Sequence, residues 1–246
     1  MSLIAVHPGA AYHIESLEAP RYAGYFNRLV RPESLSDIAF DADDVLLVPC
    51  RTPPARMTPH RTRLLRHLQD GGSIVAMGEA RSDLWLPGIS FTPQPTNWWW
   101  WLEEGADLGV RIAAPEHPLF SYLSRFDLTW HLHGWFQPPD GADILATDGD
   151  GRAILYVDRV TTAGTMIVTS LDPFYHHGSH FMPATTRFLD GFLPWLRTGI
   201  RTGGRDSRQT DFQQAAPAQK PTAVIIPFNS NTGPLNDTVL PKPHRS

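Results

Sequence analysis

The chain has 246 residues, of which 41% are hydrophobic and 19% are charged, and its 21 basic and 25 acidic side chains give a net charge of -4. This much apolar material excludes a wholly disordered chain, and the negative balance argues against a nucleic-acid partner bound through bulk charge. The single cysteine excludes an intrachain disulfide and a cysteine-rich zinc site.

The first third of the chain has the pattern of alternating strands and helices. Leu3 to Val6 predict a short buried strand that stops before Pro8-Gly9, and a helix is expected from about Pro20 towards Val30. The apolar run from Asp44 to Val48, which ends at a proline, is typical of a strand covered on both faces. Together these elements favour an α/β fold.

The clearest unit follows this strand. Thr58 and Pro59 offer a helix N-cap and a first-turn proline, and the helix is expected to end at Gly71-Gly72. Ser73 to Met77 then predict another buried strand. Strand, helix and strand in this order form a βαβ crossover, so the sheet is predicted to be at least partly parallel.

Tryptophan is concentrated in the middle of the chain. Residues 98 to 101 are four consecutive tryptophans, which cannot all face one core, because a strand would point two of them each way and a helix would spread them round its surface. Some must therefore line a groove, an interface or a loop. The predicted ligand-stacking residues are Trp98, Trp99, Trp100, Trp101, Trp130 and Trp135.

The next predicted elements are hairpin-like strands and a closing helix. Asp143 to Thr147 and Ala153 to Val157 flank a turn at residues 148 to 151, and Met166 to Ser170 predict a further strand. Thr185 to Leu196 has the apolar spacing of an amphipathic helix. These elements complete one α/β domain over residues 1 to 198.

From Gly199 onwards the composition changes to a polar, Gly- and Pro-rich stretch without periodicity. We therefore predict a linker and tail over residues 199 to 246. One apolar island, residues 223 to 228, could add as an edge strand to this chain or to a partner.

No targeting or membrane-spanning pattern is present in the sequence. The N-terminus has no basic segment, and its apolar run breaks at Pro8. No stretch approaches the ~18 apolar residues of a spanning helix. A soluble protein of the reducing cytoplasm, with no membrane partner, is expected.

The strand end at residues 74 to 80 is where an α/β enzyme can present a nucleophile next to helix-start amides. Here it offers Gly78 and Glu79 but no serine or cysteine. Cys50 follows the preceding strand beside Arg51, which could activate a thiol, yet no base is adjacent and an inert buried thiol is the simpler interpretation. The catalytic candidates are Glu79, Cys50 and His177.

Histidines form a second candidate site. His131 and His133 are two residues apart, so an extended segment would place them on one face. A carboxylate and three imidazoles follow a predicted strand, at Asp172, His176, His177 and His180. This residue set suits a divalent metal such as Zn. The alternative is that these rings only pack and hydrogen-bond at a sheet edge, since no recognised ligand spacing is present.

Several short motifs recur in an order that suggests a family. They are a helix ending in Gly-Gly (68 to 72), a strand ending at a glycine turn (74 to 78), Glu116-His117-Pro118-Leu119-Phe120, the segment Pro138 to Leu145, and Gly164 to Asp172, followed by Phe181 and a closing helix. Over residues 3 to 198 this resembles the class I glutamine amidotransferase-like superfamily, and within it the ThuA-like branch. The resemblance implies a flavodoxin-like three-layer sandwich with a mostly parallel sheet.

The chain departs from that family at the reactive position. Catalytic members have a Gly-x-Cys-x-Gly elbow, and the matching residues here are Ala76-Met77-Gly78-Glu79-Ala80. The missing cysteine argues against glutamine hydrolysis. ThuA-like proteins are associated with sugar metabolism, and the resemblance makes their histidines candidates for metal or ligand contact, here His131, His133, His176, His177 and His180.

Three functional hypotheses follow from the sequence. The leading one is a non-amidotransferase member of this superfamily that binds a small polar or carbohydrate-like ligand through tryptophans, histidines and Glu79. The second is an interaction module without catalysis, in which the tryptophan run and residues 223 to 228 form a homo-oligomer interface. The third is a metal-dependent hydrolase that uses the histidine cluster.

Overall fold

A computed structural model describes residues 1–96 and 98–198, which contain ten strands and five α-helices. The predictions for residues 199 to 246, including the docking strand at 223 to 228, lie outside the described residues. The strands are β1 (Leu3–Val6), β2 (Arg28–Val30), β3 (Val45–Val48), β4 (Ser73–Met77), β5 (Ser90–Pro93), β6 (Arg111–Ile112), β7 (Gly134–Gln137), β8 (Asp143–Thr147), β9 (Ala153–Asp158) and β10 (Thr165–Thr169). The helices are α1 (Ala11–Leu17), α2 (Pro54–Met57), α3 (Arg61–Gln69), α4 (Pro173–Gly178) and α5 (Pro183–Thr198).

All ten strands belong to one mixed sheet with the order β2-β1-β3-β4-β10-β9-β7-β5, and β8 pairs with β9 and β6. The first five strands of this order run parallel. The strand β9 is antiparallel to β10, and the remaining pairs are antiparallel too. The parallel half confirms the predicted α/β fold and its βαβ crossover, since β3 and β4 are parallel neighbours.

Both faces of the parallel strands β1, β3 and β4 are buried, as their largely apolar sequences predict. In β1, Leu3 and Ala5 face one core, whereas Ile4 and Val6 face the other. The first core also takes residues from α1, α4 and α5, and the second takes residues from α2 and α3. Alternating side chains therefore bury helices on both sides of the sheet, which gives three layers.

One predicted element is wrong. The helix expected from about Pro20 to Val30 is absent: α1 lies earlier, a 3-10 turn occupies Ala23–Tyr25, and Arg28–Val30 form the edge strand β2. Parallel pairing with β1 outweighs the helix-like spacing of the apolar residues. The aromatic ring of Tyr22 is buried, and its hydroxyl lies 3.1 Å from Asp190 of α5.

The remaining predicted elements agree closely with the structure. The predicted bounds of β4 and β8 match, and β8 and β9 form the expected antiparallel pair. The helix α3 begins at Arg61 rather than at Pro59, because a 3-10 turn at Thr58–His60 precedes it. None of the described helices is long and apolar enough to cross a membrane.

Candidate metal centre

Polar side chains gather where three neighbouring parallel strands end. Cys50 and Arg51 follow β3, Glu79 follows β4, and Asp172 follows β10. Open α/β sheets bind ligands at this carboxyl edge. The candidate site therefore lies where the fold class expects one.

Local structure brings four side chains of this edge together. Asp172 is the N-cap residue of α4, and His176 lies four residues later, so both project from the same side of the first helical turn. His131 and His133 lie in the segment that leads into β7, two residues apart. The sequence predicted this pair because side chains two residues apart lie on the same side of an extended segment.

The four side chains present one ligand atom each within 4.8 Å of one another, and all four are buried. The Nε2 atoms of His131 and His176 are 2.6 Å apart. The Oδ2 atom of Asp172 lies 3.0 Å from Nε2 of His133 and 3.2 Å from Nε2 of His176. We call His131, His133, Asp172 and His176 the His/Asp cluster.

Two facing atoms of the His/Asp cluster, Nε2 of His133 and Oδ2 of Asp172, are 3.0 Å apart, which is the distance of an ion pair. Neither atom makes a well-aligned hydrogen bond among the described residues. An ion pair between them requires a proton on His133, and a cation held by both atoms would take the place of that proton.

Neighbouring residues orient the cluster. The indole Nε1 of Trp130 donates a hydrogen bond to Oδ1 of Asp172 at 3.0 Å, which leaves Oδ2 directed at the histidines. The hydroxyl of Thr96 lies 3.0 Å from Nδ1 of His133, and a Glu79 carboxylate oxygen is 3.8 Å from the same nitrogen. Partners of this kind fix the ring orientation of metal-binding histidines.

The charge states also suit metal binding. Burial lowers the pKa of His131 to about 3, so its imidazole is neutral and keeps a lone pair at pH 7. Burial raises the pKa of Asp172, but the imidazoles of His133 and His176 outweigh it and hold that pKa below its usual range. The cluster thus offers a carboxylate to a cation without prior loss of a proton.

Two partly exposed aromatic rings cover the cluster. The ring of Trp98 lies edge-on to those of His131 and His133, with centroids 4.4 and 5.6 Å away. Phe181 packs against His176 at 4.7 Å. Since 41% of Trp98 is exposed, this side chain separates the buried ligand atoms from solvent.

Gly78 stands at the position where a nucleophile was expected, and it packs closely against two neighbouring residues. Gly78 has φ of +52°, and a Cβ added there would lie 2.6 Å from Cβ of Cys50 and 3.0 Å from Cβ of Asp172. A glycine is therefore required for both steric and backbone reasons. The absence of a side chain at Gly78 leaves room for Asp172.

Cys50, a sequence candidate, is not suited to nucleophilic catalysis. The residue is fully buried, and burial raises the pKa of its thiol well above the ordinary value. Its sulfur accepts a hydrogen bond from the backbone N–H of Tyr175 at 3.3 Å. The thiol is therefore protonated at neutral pH, as the inert interpretation requires.

Two of the five candidate histidines lie away from the cluster. Nδ1 of His177 is 2.8 Å from the hydroxyl of Thr186, and its ring packs against Tyr22. His180 is 73% exposed and lies 3.8 Å from a carboxylate oxygen of Glu15. The structure thus joins only three of the five histidines with Asp172.

The six candidate tryptophans occupy different environments. Trp130 is buried and binds Asp172 instead of stacking on a ligand, which corrects its predicted role. Trp99 and Trp101 are exposed with ring centroids 6.2 Å apart, and Trp100 is half-buried. Trp135 is half-buried, with the Arg152 guanidinium 5.3 Å from its ring. Trp98 is the one of the six that both contacts the histidines and reaches solvent.

The sequence suggested only one role for Arg51, which was to activate the thiol of Cys50. Its Nη2 lies 3.8 Å from Oδ2 of Asp172, and its Nε lies 3.0 Å from Oε2 of Glu79. Its place directly after a buried parallel strand indicated that it lies at the carboxyl edge of the sheet. Its contacts with Asp172 and Glu79 depend on the pairing of β3, β4 and β10, which the sequence did not show.

Comparison with known proteins shows a weak likeness of fold. No protein-family model and no curated protein matches the chain. A putative GMP synthase subunit from Thermoplasma acidophilum is similar, with 13% identity and a TM-score of 0.47, over 80% of this chain and 96% of that one. An exo-β-1,4-mannosidase from Opitutaceae bacterium strain TAV5 is similar with 14% identity and a TM-score of 0.42 over 83% of this chain.

This chain covers 36% of the length of the mannosidase chain. At these scores the two likenesses carry no argument about activity. The ThuA-like relationship and the carbohydrate ligand stay predictions.

Proposed function

We propose that the protein binds one first-row divalent metal ion, such as Zn, at the His/Asp cluster and uses it to hydrolyse a small polar substrate. The observation that carries this proposal is the convergence of four buried ligand atoms within 4.8 Å of one another. Imidazole nitrogen and carboxylate oxygen are ligands that zinc and its neighbours accept.

His131, His133, His176 and Asp172 would hold the ion, and Trp130 and Thr96 would keep two of them in place. An ion bound there would lower the pKa of a coordinated water molecule to about 7. Glu79 is 43% exposed beside His133, so its carboxylate lies between the cluster and solvent, where a ligand can contact it. Trp98 offers an apolar ring edge to that ligand.

The experiment is metal analysis of protein purified without a histidine tag, loaded with Zn and then dialysed. We expect about one ion per chain in the natural protein and a loss of bound metal in Asp172→Asn. Metal-dependent hydrolysis of p-nitrophenyl acetate by the loaded protein then tests the catalytic part. Equal metal contents in both proteins would contradict the proposal.

A second candidate function is self-association through the exposed apolar segment beside the site. Trp99, Trp101 and Leu102 are 65%, 53% and 64% exposed, and exposed aromatic residues are enriched at interface cores. The proposed partner is a second copy of the chain. Sedimentation of the Trp99→Ser, Trp101→Ser double variant tests this, since it should lower the mass in solution, whereas an unchanged mass would contradict it.

A further inference from the structure

The backbone of Arg51 is held in an unusual conformation next to the His/Asp cluster. Its φ of 58° lies in the left-handed region, where a residue other than glycine is strained. Such strain costs on the order of 1 kcal/mol or more and is concentrated at functional sites. The conformation occurs where β3 ends, at the same sheet edge as the cluster.

Three groups hold the guanidinium of Arg51 in place. Its central carbon lies 3.5 Å from the ring centroid of Tyr175, which gives a close cation–π contact. Glu79 is 3.0 Å from Nε, and Oδ2 of Asp172 is 3.8 Å from Nη2. Arg51 is therefore fixed beside the same carboxylate oxygen that faces the histidines.

The guanidinium of Arg51 is only partly enclosed. Its Nε is buried and forms an ion pair with Glu79 at 3.0 Å, whereas the side chain keeps 26% of its surface exposed. A guanidinium carries five N–H donors, so one that is fixed and has access to solvent is suited to an oxyanion.

The charge of the loaded site favours an anionic ligand. A divalent ion and Arg51 bring three positive charges, whereas Asp172 and Glu79 bring two negative charges. Metal-bound imidazoles are neutral. One positive charge is left over, and a ligand with a carboxylate or phosphate group would neutralise it.

We propose that Arg51 binds an oxyanion group of the substrate beside the metal ion, so that the substrate class is a small carboxylate or phosphate compound. This inference rests on the proposed metal centre. Tyr175 positions the guanidinium, and Glu79 balances its charge while the site is empty of substrate. Charge-assisted hydrogen bonds from a guanidinium to an oxyanion are short and directional.

The test uses the full chain loaded with cobalt(II), whose visible absorption reports its ligands. Inorganic phosphate and acetate are titrated separately into the natural protein, Arg51→Gln and Arg51→Lys. We expect either oxyanion to change the spectrum of the natural protein, and we expect its affinity to fall at least tenfold in Arg51→Gln and less in Arg51→Lys. The stronger of the two probes identifies the group that the site prefers.

The matched control is Arg81→Gln. Arg81 also has a left-handed backbone, with φ of 47°, but its guanidinium is paired with Asp83. This variant should bind both oxyanions as the natural protein does. An unchanged affinity in Arg51→Gln, or no spectral response in the natural protein, overturns the role of Arg51, whereas failure of cobalt to bind at all overturns the metal centre and this inference with it.

Discussion

The Asp172→Asn substitution separates metal binding from folding. The amide keeps the shape of the carboxyl group and an oxygen that can accept the Trp130 hydrogen bond, but it removes the negative charge from the cluster. At a free metal concentration of 100 times Kd, binding to the native state adds about 2.7 kcal/mol of stability. For a domain of this size that corresponds to a rise in Tm of about 5–11 °C.

The substituted protein should lose most of this rise. Loss of a residue that only orients a metal ligand weakens metal binding by up to about 100-fold. If removing the charge of Asp172 has an effect of this size, the same metal concentration adds only about 0.4 kcal/mol of stability. Differential scanning calorimetry of chelator-stripped protein, with and without Zn, measures both values. The comparison uses each variant's own metal-free Tm, so any direct effect of the substitution on folding cancels.

His180→Asn is the matched control, because His180 is exposed, lies outside the cluster and has a left-handed backbone that asparagine tolerates. It should show the full metal-dependent rise. Equal rises in the natural protein and in Asp172→Asn would refute the assignment of Asp172 as a ligand. No rise in the natural protein would refute the metal centre.

Three further predictions follow from the structure. Trp98→Ala should speed the release of bound metal to a chelator at least tenfold, because it uncovers the cluster. Stopped-flow absorbance measures the rate, and an unchanged rate would mean that metal leaves by another route. Burial lowers the pKa of His13 to about 4, below the ordinary 6.5, so protons bind the unfolded chain first and stability falls from about pH 6.5 towards pH 4. In metal-free protein, protonation linked to His13 should lower the free energy of unfolding by about 2 kcal/mol by pH 5. Urea unfolding measures this as the extra loss of stability in the natural protein relative to His13→Gln, and parallel pH profiles of the two proteins would contradict it. Gly78→Ala should both lower Tm and weaken metal binding, whereas Gly151→Ala, with a similar positive φ but open space around it, should only lower Tm; equal metal affinities would show that Gly78 does not position Asp172.

The centre of the fold could be predicted from the sequence because its strands have the complete local pattern of buried strands. Val45–Val48 and residues 74 to 77 are continuously apolar and are followed by a proline or a glycine, so their sequence alone marks them as buried. The edge strand Arg28–Val30 has no such signal, since two of its three residues are exposed. Its pairing with β1 is a tertiary effect that a helix-like spacing concealed.

The members of the site were predictable only in part. The alternation of His131 and His133 places them on one side of an extended segment, and the structure brings both to the cluster. The choice of His176 over His177 depends on where α4 begins. Pro173 at the first helical position sets that phase and puts His176 one turn after Asp172. Which of the four consecutive tryptophans covers the cluster depends on a loop conformation that no periodicity encodes.

The missing nucleophile and the His/Asp cluster are two aspects of one arrangement. A Cβ at Gly78 would lie 2.6 Å from Cβ of Cys50 and 3.0 Å from Cβ of Asp172, so any side chain there, including the cysteine of a catalytic elbow, would force these residues to move. A thiol nucleophile at this point would therefore disturb the buried carboxylate after β10. The carboxylate in turn is oriented by Trp130 towards three histidines and lies beside Arg51. The edge of the sheet thus presents a buried carboxylate beside three imidazole rings, and Gly78→Cys is expected to disturb that arrangement.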